Sequence, residues 1–202
     1  ICVACTGAAL SVFLFSHKPV KELSGTNIAV TSHTATSIQL LRVLFSDLWS
    51  MSDHSFVEMS DDHSAALVIG DPALKTLASG TYEYSYDLGS AWQTLTGLPF
   101  VFAEWVVRSD APADLVEAFE RSLIEATRIG VESVEEISRL RSDESMSESD
   151  VATYVRNFSY FFGPDERSGQ REFKQRLSKL PEWRPAVSAA NETSETRAVS
   201  AS

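Results

Sequence analysis

The segment YDLGSAWQTLTGLPFVFAEWVVR (Tyr86–Arg108) combines a predicted helix, a helix stop and a strongly apolar strand. Asp87 is a suitable N-cap for a helix that carries Trp92, and Thr96-Gly97-Leu98-Pro99 ends that helix. The following run, Pro99–Val107, reads as a buried strand, in which alternation places Phe100 and Phe102 on one face and Val101 on the other. We interpret the large aromatic side chains of the segment as core: Trp92, Phe100, Phe102 and Trp105.

Strands and helices alternate on the N-terminal side of this segment. Strands are predicted at 9–16, around Phe56-Val57 and at Ala65–Ile69, and residues 23–32 are predicted to form a turn followed by a short strand. Tyr82–Tyr86 is irregular or extended. An apolar periodic run from Ile38 to Leu48 predicts a helix. This alternation indicates an α/β fold built from βαβ units around a mostly parallel sheet.

The C-terminal side is rich in predicted helices. The best-marked one has Asp110 as its cap, Pro112 in its first turn and Gly130 at its end. Further helices are predicted at Val134–Arg141, from Ser149 and from Asp165 to Leu180, and residues 141–150 read as an acidic loop. The apolar face of the first helix is expected to be buried and comprises Leu115, Phe119, Leu123, Ala126 and Ile129.

Composition excludes several classes of partner. The formal net charge is −11, which argues against nucleic-acid binding and against docking on an anionic membrane. No apolar run is long enough to span a bilayer. Cys2 and Cys5 are interpreted as small buried side chains in a strand, and the scattered histidines show no metal-ligand spacing, so no metal site is predicted.

Two places could bind an anion or a small molecule. Thr34, Thr36 and Ser37 precede the helix at Ile38, where hydroxyls and free backbone N–H groups serve either as ordinary caps or as a carboxylate site. Neighbouring His33 reads as a solvated turn histidine that could also face this site. Gly70 and Asp71 follow a predicted strand, where they form either a turn with Asp71 as a cap or part of a ligand cleft.

Five segments resemble, in order and spacing, the chorismate dehydratase family of the futalosine route to menaquinone. They are TGAALSVFLFS (6–16), IAVTSHTATSIQLL (28–41), AALVIGDPAL (65–74), Tyr86–Arg108 and RNFSYFFG (156–163). The resemblance implies a type II periplasmic-binding-protein-like fold, with two α/β lobes around a ligand cleft. The first lobe would comprise 1–19 and 86–182 and be incomplete, the second would comprise 20–85, and residues 183–202 would form a disordered tail.

The family removes water from chorismate to give 3-[(1-carboxyvinyl)oxy]benzoate, in the cytoplasm and without a cofactor. By resemblance, Thr36, Ser37, Gly70 and Asp71 would bind the substrate, and Ser11 would be catalytic at the lobe crossover. Ala4-Cys5 stands where the family often has Ser-Ser, so Cys5 would replace a site hydroxyl. The sequence does not fix the oligomeric state.

Three alternatives remain open at the level of sequence. The chain opens with Ile1 inside a predicted strand, and it lacks a match to the N-terminal part of the family, which carries a site asparagine. An inactive fragment is therefore one alternative. The others are a non-catalytic small-anion-binding protein of the same fold and the sister dihydroxynaphthoate synthase, which shares the DLG and TGLP motifs.

Overall fold

The chain forms two β-sheets that are connected and covered by helices. A computed structural model describes residues 1–31, 34–142 and 146–181. Within these ranges the strands are β1 (Cys2–Cys5), β2 (Val12–Ser16), β3 (Thr26–Val30), β4 (His54–Glu58), β5 (Ala65–Ile69), β6 (Tyr84–Asp87), β7 (Phe100–Glu104) and β8 (Phe158–Ser159). The helices are α1 (Thr36–Asp47), α2 (Asp71–Ser79), α3 (Leu88–Thr96), α4 (Ala113–Glu132), α5 (Val134–Arg141), α6 (Glu148–Arg156) and α7 (Pro164–Leu177).

The larger sheet has the strand order β4-β3-β5-β2-β6. Strand β3 runs parallel to β4 and β5, whereas β2 runs antiparallel to both β5 and β6. The smaller sheet, β7-β1-β8, is antiparallel. The predicted α/β class is confirmed, and two sheets on either side of a pocket are consistent with the predicted periplasmic-binding-protein-like fold. The prediction of a mostly parallel sheet holds for the larger sheet, in which four strands run in one direction, except that β2 is reversed. It fails for the smaller sheet, which is antiparallel, because side-chain periodicity carries no information about strand direction.

Strands β2 and β6 carry the chain into and out of the larger sheet, which is why they run in opposite directions. The chain passes between the sheets in residues 6–11 and again in residues 88–99. The carboxyl ends of β3, β5 and β6 therefore lie at the same edge as the amino end of β2. Residues 9–11 lie outside β2 although a strand was predicted for 9–16, whereas the irregular or extended state predicted for Tyr82–Tyr86 is confirmed. The predicted lobe limits at 19/20 and 85/86 remain a prediction.

One apolar core joins the two sheets. Trp92 of α3 is fully buried, its ring meets Phe100 of β7 at 5.4 Å, and its indole N–H donates to the Pro99 carbonyl at 3.1 Å. The same cluster includes Leu41 and Leu44 of α1. The core prediction is therefore confirmed for Trp92 and Phe100. It is wrong for Trp105, whose surface is 61% exposed.

Helix α4 differs most from expectation. It begins after Pro112, since Asp110 pairs with Arg108 instead of capping, and it continues past Gly130 to Glu132. None of its residues is buried. Leu115, Phe119 and Ile129 of the predicted inward face are about half or more exposed, because no described element covers that face. The predicted tail, 183–202, and part of the acidic loop, 143–145, lie outside the described residues.

Candidate active site

A pocket of about 350 Å³ lies between the two sheets. Helix α1 and the ends of β2 and β5 form one side, and β1, β7, α6 and β8 form the other. The lining residues are Val3, Ser11, Val12, Thr34, Ala35, Thr36, Ser37, Ile69, Gly70, Phe102, Tyr154 and Phe158. The pocket therefore combines an apolar wall with a cluster of hydroxyl groups, and none of these described side chains is an acid, a lysine, an arginine or a histidine.

The N-terminus of α1 faces this pocket without a side-chain cap. The capping position is Ala35, and within the described residues no side chain accepts a hydrogen bond from the first turn, which also contains no acidic residue. Of the two alternatives left open for the hydroxyl cluster, capping by Thr34, Thr36 or Ser37 is not what the described residues show, since Ala35 occupies the cap position. The free N–H groups and the positive end of the helix dipole favour a negatively charged group here.

Thr34 strengthens that indication. It is 9% exposed, and its hydroxyl has no hydrogen-bond partner among the described residues. Ser37 is 6% exposed and Thr36 is half-buried, and both line the same pocket. Buried hydroxyls are normally paired, so an unpaired one beside an uncapped helix marks a place where a ligand can supply the partner.

The loop before β2 brings Ser11 into the pocket lining, beside Gly70. Both carboxylate oxygens of Asp87 hold this loop, accepting from the backbone N–H groups of Ala9 at 2.9 Å and Leu10 at 2.8 Å. Asp87 also caps α3 by accepting from the Ser90 N–H, as predicted. Leu10 adopts a left-handed conformation with φ of 65° and Ser11 is only 4% exposed, so the loop position is imposed by these contacts.

Gly70 lies beside Ser11. Its N–H donates to the Ser11 carbonyl at 2.8 Å. Its φ of 67° is a backbone conformation that residues other than glycine rarely adopt. Gly70 is the N-cap of α2, so the prediction of Asp71 as the cap is wrong. Asp71 is exposed as the first residue of α2 and does not line the pocket.

Cys5 lies beneath the loop rather than in the pocket lining. Its thiol is buried and donates to the Gly7 carbonyl at a sulfur–oxygen distance of 3.3 Å. Burial, and to a lesser extent the negative charge of Asp87, raise the pKa of the Cys5 thiol to about 12. Both cysteines are buried in β1, as predicted. Cys5 is thus neutral at physiological pH, and the structure does not bring it together with Thr36 and Ser37.

Tyr154 lines the pocket although it was not predicted as a site residue, and Phe102, which was predicted as core, lines it too. Tyr154 lies on α6, and its phenol oxygen is 2.8 Å from the Ser11 hydroxyl oxygen. Helical spacing alone does not distinguish a side chain that faces the core from one that faces a pocket. His33, the other residue considered at this site, lies outside the described residues.

Comparison with known proteins shows which family the chain belongs to. A family model described as menaquinone biosynthesis matches residues 1–179. The chain belongs to the menaquinone biosynthesis family. It is also 28% identical over 196 aligned positions to the chorismate dehydratase of Thermus thermophilus, an alignment that covers 87% of this chain and 70% of that protein. The family resemblance expected from Tyr86–Arg108 and the other four segments is therefore confirmed.

No cluster of three or more His, Cys, Asp or Glu side chains within residues 1–31, 34–142 and 146–181 could hold a metal ion. Over the same ranges, every helix is too short or too polar to cross a bilayer.

Proposed function

We propose that this member of the menaquinone biosynthesis family is a chorismate dehydratase of the cytoplasm. In the proposed reaction the C–H bond at ring carbon C3 and the C–O bond at C4 break. The C–H electron pair forms the new ring double bond, the C–O pair leaves with oxygen, and the proton and hydroxide depart as water. The products are one water and an aromatic enolpyruvyl benzoate. The oxidation level does not change, so the reaction requires no electron acceptor.

The observation that carries the proposal is the start of α1, where no described side chain caps the helix. Chorismate carries two carboxylates, and a carboxylate at this position would accept from the free N–H groups of the first turn and from the hydroxyls of Thr34, Thr36 and Ser37. The unpaired Thr34 hydroxyl would gain the partner that it lacks among the described residues. The name of the Thermus thermophilus relative supports the same substrate.

The rest of the pocket suits the ring of the substrate. Val12, Ile69, Phe102 and Phe158 offer an apolar surface for a planar product. Ser11 and Gly70 lie at the edge of this surface, where they would contact the polar substituents. Cys5 and Asp71 lie outside the lining, so in this proposal Cys5 supports the loop before Ser11 and Asp71 does not touch the substrate.

Aromatisation supplies the driving force, so the protein has mainly to hold the dianion and stabilise the charge that develops at the leaving oxygen. Fixing the substrate between the start of α1 and Ser11 restricts the ring to one orientation. Hydroxyl and N–H donors that are already in place reduce the reorganisation needed as the C–O bond breaks.

The test measures both turnover and affinity. We expect the purified protein, incubated with chorismate, to yield the enolpyruvyl benzoate, detected by mass spectrometry as the loss of one water. We expect the double variant Thr36→Val, Ser37→Ala to bind chorismate roughly 10- to 100-fold more weakly, because hydrogen bonds to a charged group are lost. Affinity is measured by isothermal titration calorimetry.

The matched control is Ser46→Ala on the same helix. The Ser46 hydroxyl is exposed and donates to the Asp47 carboxylate, far from the start of α1. We expect this variant to bind chorismate like the unaltered protein. Unchanged affinity in the double variant would remove Thr36 and Ser37 from the site, and absence of product would contradict the dehydratase.

A small-anion-binding protein is the second candidate. One observation favours it: the only titratable side chain among the described lining residues is Tyr154, so these residues include no carboxylate or histidine to take the C3 proton. Tight binding of chorismate without formation of product would support this second function.

A further inference from the structure

The hydroxyls of Tyr154 and Ser11 form a pair in the lining of the same pocket that the start of α1 faces. Their oxygens are 2.8 Å apart, and both residues line the pocket. Each hydroxyl has one proton to donate, and their mutual hydrogen bond uses only one of the two. The pair therefore retains one O–H donor, and that donor can be directed at a ligand.

Several contacts hold Tyr154 in this position. Helix α6 begins with a capping box in which the Ser147 hydroxyl and the Asp150 carboxylate each accept from the other's backbone N–H. At its other end, the Asn157 side chain donates to the Ala8 carbonyl at 2.7 Å, which ties the helix to the loop that carries Ser11. The Tyr154 ring also meets the Phe158 ring edge-on at 5.2 Å. The phenol is thus fixed relative to Ser11 before a ligand binds.

The start of α1 and the Tyr154–Ser11 pair differ in the chemical groups that they can bind. The start of α1 offers several hydrogen-bond donors and the positive end of the helix dipole, which together suit a carboxylate. The Tyr154–Ser11 pair is uncharged and offers a single donor together with free acceptor lone pairs, which suits a hydroxyl. A substrate with a carboxylate and a ring hydroxyl can bind to the start of α1 and to the Tyr154–Ser11 pair at the same time, and only one orientation satisfies both.

We propose that Tyr154 is a specificity-determining residue that donates a hydrogen bond to the substrate hydroxyl that leaves as water. This inference rests on the proposed dehydratase function. The phenol keeps its proton, so the balance of the reaction is unchanged: one C–H and one C–O bond break, one C=C bond forms and water departs. The hydrogen bond strengthens as negative charge develops on the departing oxygen.

The reaction product provides a ligand that separates recognition of the hydroxyl from recognition of the carboxylates. The enolpyruvyl benzoate keeps both carboxylates but lacks the ring hydroxyl. We expect Tyr154→Phe to lower kcat/KM for chorismate by about 10- to 100-fold. The inhibition constant of the product should stay within about twofold, since no hydrogen bond to the product is lost.

Tyr160→Phe is the matched control. The Tyr160 phenol also donates to α6, at the Val155 carbonyl and a distance of 2.9 Å, but Tyr160 does not line the pocket. We expect this variant to change neither constant by more than about twofold. Adding Ser11→Ala to Tyr154→Phe should cost less than the product of the two separate effects, because the residues share one hydrogen bond.

Two results would overturn the role of Tyr154. One is equal behaviour of Tyr154→Phe and Tyr160→Phe. The other is a parallel loss of affinity for product and of kcat/KM, which would indicate a structural role. Absence of turnover in the unaltered protein would overturn the dehydratase instead. In that case the role of Tyr154 is tested by the dissociation constants of chorismate and of the product. The unaltered protein must bind chorismate more tightly than the product, and Tyr154→Phe must abolish this difference. Equal affinities of the unaltered protein for the two ligands would refute the inference.

Discussion

Thr34 carries a polar group in surroundings that a folded protein normally avoids. Its hydroxyl is buried without a partner in the described part of the chain, at a cost of about 1–3 kcal/mol relative to a satisfied group. Such a cost is tolerated where a ligand pairs with the group. Thr34 therefore links the stability of the free protein to the proposed function.

Replacing Thr34 with valine should change the stability of the free protein and its affinity for chorismate in opposite directions. The side chains have nearly the same shape, so Thr34→Val removes the unpaired hydroxyl without leaving a cavity. We expect the free energy of unfolding of the free protein to rise by about 1 kcal/mol, while the affinity for chorismate falls about tenfold. Urea denaturation and calorimetry measure the two changes.

Thr26→Val is the control for this experiment. The Thr26 hydroxyl donates to the Leu23 carbonyl at 2.7 Å, so its removal should lower the free energy of unfolding by about 1 kcal/mol. Thr26 does not line the pocket, and the affinity for chorismate should be unchanged. If Thr34→Val destabilised the protein as much as Thr26→Val, the Thr34 hydroxyl would have a partner in the free protein.

Helix α3 and the loop before β2 are in backbone contact. A Cβ atom placed on Gly89 would lie 2.5 Å from the Gly7 carbonyl oxygen and 2.8 Å from the Ala9 nitrogen. Only glycine permits this approach, which brings Asp87 close enough to hold the loop. The first turn of α3 thus positions Ser11 through the backbone as well as through the Asp87 carboxylate.

Alanine at Gly89 should therefore disturb both stability and the site. We expect Gly89→Ala to lower the free energy of unfolding by about 1–3 kcal/mol and to reduce turnover, because the loop before Ser11 must move. In contrast, a Cβ atom on Gly130 in α4 meets no atom within 4 Å. Gly130→Ala should raise the free energy of unfolding by about 0.5–1 kcal/mol through helix propensity. Equal effects at the two positions in thermal and urea denaturation would refute the contact.

The largest apolar core of the molecule joins its two sheets, and α4 lies outside it. The α4 side chains of Leu115 and Ile129 are 62% and 49% exposed, whereas Leu44 of α1 is fully buried. An apolar helix face contributes to stability only where another element removes it from water. Among the described residues, α4 has no such element over this face.

The double variant Leu115→Glu, Ile129→Glu tests this arrangement. We expect the free energy of unfolding to change by less than about 0.5 kcal/mol per position, since exposed side chains stay exposed. Leu44→Ala, the buried comparison, should cost about 2–5 kcal/mol. Urea denaturation measures all variants. A cost at α4 close to that of Leu44→Ala would show that the face is covered in the protein in solution.

Local signals predicted most of the elements. Asp87 caps α3 as expected, β5 spans the predicted Ala65–Ile69, and Trp92 and Phe100 lie in the core. The failures share a cause, because each depends on what another element does. Trp105 and the α4 face needed a covering partner to be buried, and the direction of β2 was set by its route from one sheet to the other.

The same division applies to the candidate site. Thr36, Ser37, Gly70 and Ser11 were predicted from motifs, and the structure brings them to one pocket. Tyr154 was not predicted as a site residue, because its hydrogen bond to Ser11 joins residues 143 positions apart. The sequence left open whether the hydroxyls at the start of α1 cap the helix or bind a ligand, since hydroxyl residues at a helix start usually serve as caps.

The amino-acid sequence by itself determined the family, through Tyr86–Arg108 and its companion motifs, and the type and approximate position of most helices and strands. These properties depend on residues close together in the chain. Only the tertiary structure decided the strand directions, the burial of each apolar face, the unpaired Thr34 hydroxyl and the pairing of Tyr154 with Ser11. Burial and hydrogen-bond satisfaction depend on groups distant in sequence, so they exist only once both sheets are assembled.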